Sequence, residues 1–272
     1  MSTRLKGIAG TWLARAIPAI VVEVQGTRGS APREAGTRML VSAGGCEGTI
    51  GGGHLELKAI RRARRMLAEG VQDAETEHFP LGPALGQCCG GAVTLGFEPL
   101  VTTHLATWPA TRPRFHLQLY GAGHVGRAIV RLLADIDCVV DWIDEREDEF
   151  PQPGDDGQPW PDHIRMVSVD AVEAEVAEAR PGWFYLVLTH RHDLDMRICE
   201  QILQRDDFGF FGLIGSKSKR MRFIHHFQRR GIGDDAIARM TCPIGVPGIE
   251  GKEPEVIAIG VVAQLLQQAA PA

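Results

Sequence analysis

Phe115-His-Leu-Gln-Leu-Tyr120-Gly121-Ala-Gly123-His-Val-Gly126 is an apolar run that ends directly in three glycines spaced G-x-G-x-x-G. The spacing predicts a strand from Phe115 to Tyr120, a tight turn, and a helix from Val125 to Ala134. A second apolar run, Val139 to Ile143, predicts the next strand and ends at Asp144. Strand, glycine loop, helix, strand and acidic residue in this order form a dinucleotide fingerprint. Gly121 allows the turn, Gly123 lets a pyrophosphate approach the backbone, and Gly126 lets helix pack on strand. Asp144 is placed to hold a ribose 2′-hydroxyl, with Arg146 close behind it. His124 is a polar group that could face the ligand. The loop suits NAD(P), but it would equally fit another nucleotide or a pterin phosphate.

Downstream, strand and helix patterns alternate. Strands are expected at Ile164 to Val169, Trp183 to Thr189 and Gly209 to Ile214, and helices at Ala171 to Ala179, Leu194 to Leu203 and Lys217 to Arg230. Such alternation implies a Rossmann-like parallel sheet with helices on both faces. Ligands bind at the carboxyl ends of such strands, where two clusters fall. His190-Arg-His192-Asp193-Leu-Asp195 is either a metal site or a set of hydrogen-bonding and capping groups. Gly215-Ser216-Lys217, followed by Lys219, is a phosphate cradle at a helix N-terminus. Pro151 to Asp162 is a Pro/Gly/Asp loop. The turn-rich stretch from Cys242 leads into an apolar helix, Val256 to Gln267, and Cys242 is a further thiol placed to face the cleft.

Upstream, the first hundred residues read as a small α+β unit. A helix is expected over Leu5 to Ala16, and strands over Ala19 to Val24, Arg38 to Ser42, Glu75 to Leu81 and Gly91 to Phe97. Three glycine-rich loops punctuate it, at 26–36, 48–53 and 86–91. In the second, Gly51-Gly52-Gly53-His54 opens a helix running to about Glu69, an arrangement that favours anions. In the third, Cys88 and Cys89 are adjacent between glycines. Thiolates are soft donors for copper, zinc, iron–sulfur or molybdenum chemistry. The competing reading makes both of them small buried residues at a turn. Thr102 to Arg114, with Pro109 and Pro113, reads as the linker between domain 1–101 and domain 115–272.

Composition narrows the function classes. The 272 residues are 44% hydrophobic and 23% charged, with a net charge of −5. The first hundred carry 11 Lys or Arg against 9 Asp or Glu, the remainder 18 against 25. Neither part is basic enough for nucleic acid to be a general partner. Six scattered cysteines, with no C-x-x-C, fit free thiols in a cytoplasmic protein. No signal peptide and no membrane-length apolar run is read.

Seven motifs, taken in order, resemble the XdhC/CoxI accessory family. They are Gly29-Ser-Ala-Pro-Arg-Glu-Ala-Gly36, Gly48-Thr-Ile-Gly-Gly-Gly-His-Leu-Glu56, Gly86-Gln-Cys-Cys-Gly-Gly91, Gly121-Ala-Gly-His-Val-Gly126, Thr189-His-Arg-His-Asp-Leu-Asp195, Gly212-Leu-Ile-Gly-Ser216 and Pro243-Ile-Gly245. They span nearly the whole chain. The resemblance implies a chaperone, not an enzyme. It would bind molybdenum cofactor (molybdopterin) and protect it while a NifS-type cysteine desulfurase installs its sulfido ligand. It would then insert the cofactor into the molybdenum subunit of xanthine dehydrogenase. It also implies Cys88 or Cys89 near the molybdenum. No nucleic acid or membrane partner is expected, and a homodimer is a further state to test.

Two other readings compete. An NAD(P)-dependent oxidoreductase is favoured by the fingerprint and Asp144, but has no clear Tyr-x-x-x-Lys pair and leaves the double cysteine unexplained. A metal-dependent hydrolase would use His190, His192 and Asp195.

Overall fold

The computed structural model describes residues 3–81, 91–108, 112–151 and 160–270. The chain folds as two compact units, Met1–Thr111 and Arg112–Ala272.

The first unit is built on a five-stranded antiparallel sheet. Its strands are β1 (Ala19–Arg28), β2 (Arg38–Ser42), β3 (Cys46–Gly48), β4 (Glu75–Pro80) and β5 (Ala92–Pro99), in the order β3-β2-β1-β5-β4. The β-branched start of β1 is buried because it lies at the centre of the sheet, paired to β2 and β5. Helix α2 (Gly53–Glu69) covers one face with Leu55, Ala59, Ala63 and Met66. These lie at i, i+4, i+8 and i+11, the spacing that puts them on one stripe. Gly70 ends the helix in the left-handed conformation, φ 66°. Helix α1 (Thr3–Ala14) packs a second, smaller core from Leu5 and Ala9.

The expected linker begins inside this unit. Thr102–Thr107 form helix α3, followed by buried Trp108 in the same small core as α1. The helix is complete at Thr107, ahead of both prolines in the sequence. His104 Nδ1 accepts the Val101 N–H at 3.0 Å and its Nε2 faces Glu98 at 2.9 Å, which fixes the helix start.

The second unit is a six-stranded parallel sheet: β6 (His116–Tyr120), β7 (Val139–Asp144), β8 (Ile164–Ser168), β9 (Phe184–Val187), β10 (Phe210–Leu213) and β11 (Met240–Thr241). The order is β11-β10-β9-β6-β7-β8. Strand order reverses between β6 and β9, which opens a crevice at their carboxyl ends. Helices are α4 (His124–Leu133), α5 (His192–Arg205), α6 (Lys217–Arg229), α7 (Asp234–Ala238) and α8 (Pro254–Gln268). Alternate strand residues feed opposite cores. Leu119, Trp142 and Leu186 meet α4 and α8, whereas Tyr120, Ile143 and Val187 meet α5 and α6. The helix expected over Ala171 to Ala179 is instead a 3-10 turn, Val172–Glu178, pinned by its two buried valines. No helix of the described residues is long and apolar enough to cross a membrane.

Candidate functional site

In the first unit, the loop after β1 is met by Gly51 of the second glycine-rich loop and by Gly91 just before β5. Gly51 has φ 124°, and a Cβ there would sit 2.6 Å from the Pro32 ring. At Gly91 a Cβ would lie 2.5 Å from Arg28 O and 2.4 Å from Ser30 O. Glycine is therefore required at both positions by close packing onto the loop after β1. The third loop leaves at Leu81 and returns at Gly91, and the Leu81 N–H donates to Gly91 O at 2.7 Å. Cys88 and Cys89 lie outside the described residues.

The anion at the second loop is the chain's own. Glu56 Oε2 accepts from Thr49 Oγ1 (2.5 Å), Ile50 N (3.1 Å) and Gly52 N (3.1 Å). The N–H groups that favour a negative charge at a helix start are thus met by a carboxylate one turn inside α2. Gly51 is a packing residue, Gly52 holds the turn at φ 74° with open space beside it, and Gly53 and His54 are exposed. Arg28 and Arg33 are exposed cations at the loop after β1, and the sequence reading passed over both. Their position inside the first glycine-rich loop, 26–36, was the available signal.

In the second unit, parallel pairing carries four loops to one edge of the sheet. The loop after β6 divides its glycines as the fingerprint requires. A Cβ at Gly121 (φ 123°) would meet Leu188 O at 2.5 Å, and one at Gly126 would meet Gly121 O at 2.1 Å. Beside Gly123 there is nothing within 4 Å, so this backbone is open to a ligand. Trp142 Nε1 donates to Gly121 O (3.0 Å) and the Gly121 N–H donates to Ile143 O (2.8 Å), which fixes the turn. His124 is exposed at the first residue of α4.

Asp144 has a different partner set from a ribose reader. Its Oδ2 accepts from Ala122 N (2.7 Å) and an Arg146 terminal nitrogen (3.0 Å), and its Oδ1 from Arg146 N (3.0 Å) and Nε (2.9 Å). A carboxylate offers about four lone-pair sites, and protein donors take all four. Burial resists its charge, but the hydrogen bonds from Arg146 and Ala122 outweigh it and hold the carboxyl below the usual range. Arg146 also reaches Glu149 Oε1 at 3.0 Å, and Glu149 pairs with Arg127 of α4 at 2.5 Å.

After β9, Asp195 is buried and turned inward. Its Oδ1 accepts from Thr189 N (3.0 Å) and Thr189 Oγ1 (2.7 Å), and its Oδ2 from Lys219 Nζ (2.7 Å). His190 Nε2 instead faces Glu145 Oε1 at 3.6 Å. The alternative His-x-His-plus-carboxylate set is therefore not assembled. Among the described residues no three His, Cys, Asp or Glu side chains are grouped to hold an ion. Ser216 caps α6, its Oγ accepting from Lys219 N at 3.2 Å. A pocket of about 570 Å³ opens here, lined by Thr189 and His192 on one side and Gly215, Ser216, Lys219 and Arg222 on the other. Lys217 is exposed and outside its lining. Cys242 follows β11 and is buried in the core beneath α5 and α6, and burial pushes its thiol up.

Similarity to known proteins agrees with these motifs. A family model described as the XdhC Rossmann domain matches residues 117–265, and one described as the XdhC and CoxI family matches residues 12–80. The uncharacterized protein YqeB of Escherichia coli (strain K12) is 30% identical over 260 residues, covering 92% of this chain and 43% of that protein. The chain thus spans less than half the length of this relative. The crystal structure of a xanthine dehydrogenase from Bacillus halodurans superposes with a TM-score of 0.70 at 20% identity, covering 97% of this chain and 95% of that one. At that identity the likeness is one of fold.

Proposed function

The chain belongs to the XdhC family, and from that premise we propose that it is a xanthine dehydrogenase accessory protein that binds molybdenum cofactor. In this reading it does not turn over substrate. It shields the cofactor while a cysteine desulfurase sulfurates it, then passes it to the molybdenum subunit of xanthine dehydrogenase.

The observation that carries the reading is the packing of Gly51 and Gly91 onto the loop after β1. Gly51 rests on Pro32 and Gly91 rests on Arg28 and Ser30, so the two flanking loops meet where the Cys88-Cys89 loop begins and ends. A molybdopterin-type ligand needs cations and N–H donors for its phosphate, and a soft donor for its metal. The residues present fit the first need. Arg28 and Arg33 are exposed at that loop of the first unit. The open backbone at Gly123 and the Gly215–Ser216 edge of the pocket offer donors in the second. Cys88 or Cys89 would meet the other need. When bound, the cofactor would supply the oxo-transfer chemistry of the enzyme that receives it. This chain's own part is to orient the cofactor and exclude water.

An NAD(P)-dependent oxidoreductase is the alternative, supported by the strand order and the Gly121–Gly126 turn. The saturated Asp144 carboxylate counts against it, because a ribose 2′-hydroxyl would have to displace Arg146 or Ala122 N–H. Parallel titration of the purified protein with molybdenum cofactor and with NAD(P)H decides between them. The expected result is tight cofactor binding, weakened by Cys88→Ala or Cys89→Ala, with no NAD(P)H binding. NAD(P)H binding without cofactor binding would make the oxidoreductase reading the better one.

A further inference from the structure

Helix α6 carries five Lys or Arg residues and no Asp or Glu, in a unit where acidic residues are in excess. Its inward side is Phe223 and Phe227, both buried. Lys219 turns inward onto Asp195. The outward row is Ser218, Met221, Arg222, His225, Gln228 and Arg229, all exposed. These positions repeat at three- and four-residue steps, so they form one stripe roughly 16 Å long.

Among the described residues, neither Arg222 nor Arg229 forms an ion pair with a carboxylate. The two line a shallow depression with His225 and Gln228, and Arg222 also edges the pocket at Ser216 and Thr189. The basic surface therefore runs unbroken from the mouth of that pocket along the helix. Exposed charges this close on one face repel each other when unpaired, so the row gains from an opposite charge laid against it.

We propose that the outward row of α6 docks an acidic face of the protein that receives the cofactor. The proposal rests on the accessory-protein reading above. The stripe is too long for a single small anion. Met221, 48% exposed in its midst, and the arginines are residue types enriched where proteins meet. A nucleic acid fits less well, because one helical row neutralises few phosphates and the rest of the unit is acidic. Docking at this row brings the receiving protein to the pocket's edge.

The test measures association of the full chain with the purified molybdenum subunit of xanthine dehydrogenase, at about 50 and 300 mM salt, where screening differs strongly. Arg222→Glu/Arg229→Glu is compared with Arg61→Glu/Arg65→Glu, a pair of exposed arginines on α2 with the same change in charge. The expected result is at least a tenfold rise in Kd for the α6 variant, little change for the α2 variant, and weaker wild-type binding at high salt. Arg222→Gln/Arg229→Gln serves as well if the reversal lowers the melting temperature. Equal losses from both variants, no association by the wild type, or tighter binding of a DNA oligonucleotide than of the subunit would each overturn the proposal. Cofactor titration of the same variants separates the two ideas. Intact cofactor binding with unchanged association sinks the docking surface alone, whereas absent cofactor binding by the wild type sinks the function.

Discussion

Lys219 Nζ lies 2.7 Å from Asp195 Oδ2, and the two side chains are 9% and 1% exposed. The ammonium also donates to Ile214 O at 2.8 Å. This pair joins the start of α5 to the first turn of α6 beneath the pocket, so two loops are held by one contact. A Cβ at Gly215 would come within 2.6 Å of the Lys219 chain, so that glycine makes room for the lysine to fold back.

Breaking one side of such a pair strands the other charge. Asp195→Asn is expected to destabilise the protein by about 3 kcal/mol, measured by urea unfolding. Asp195→Asn/Lys219→Met should recover at least half of that, because no buried charge is then left alone. Strictly additive losses would show that the pair is not coupled.

The glycines of the β6–α4 turn should separate cleanly. Gly126→Ala places a Cβ 2.1 Å from Gly121 O, and a cost of about 2 kcal/mol or more is expected. Gly123→Ala meets nothing within 4 Å and should change stability by less than about 0.5 kcal/mol. It should nevertheless weaken binding of a phosphate-bearing ligand. Equal melting temperatures for the two variants would contradict these roles.

Glu56 holds its loop through three donors. Glu56→Ala should cost about 1–3 kcal/mol and speed hydrogen exchange at the Ile50 and Gly52 amides. Glu56→Gln keeps an acceptor oxygen and should retain most of the protection. Unchanged exchange in the alanine variant would mean the loop stands without its carboxylate.

Acid sensitivity follows from Asp144. Its carboxyl is held below the usual range in the folded protein. Its contribution is therefore complete above the unfolded value, about 3.9, and is lost as pH falls through the lower folded value. Urea midpoints taken from pH 7 down to about 3 should fall less steeply for Asp144→Asn than for the wild type. Parallel slopes would show that the group does not titrate with unfolding.

Much of this was legible in the sequence. The alternating apolar runs and the G-x-G-x-x-G turn carried the parallel sheet, because period and glycine spacing are local signals. Short elements were not legible. Strands β3 and β11 have three and two residues, and helix α7 has five, too few to show a period. Helix α3 was hidden by the prolines that follow it. At the sites, the sequence marked the loops but not their inner partners. Glycine spacing announces N–H groups facing an anion, yet cannot say that Glu56 is already there. An acidic residue closing β7 announces a ribose reader, yet its engagement by Arg146 is a matter of rotamer. Asp195 beside two histidines resembles a ligand set until Lys219, 24 residues on, is seen to claim it.

Three glycine- or turn-rich loops are thus each latched by a resident carboxylate: Glu56, Asp144 and Asp195. Held from within, their shape does not wait on a ligand to set it. Under the proposed accessory role, each berth would stay made between one load and the next.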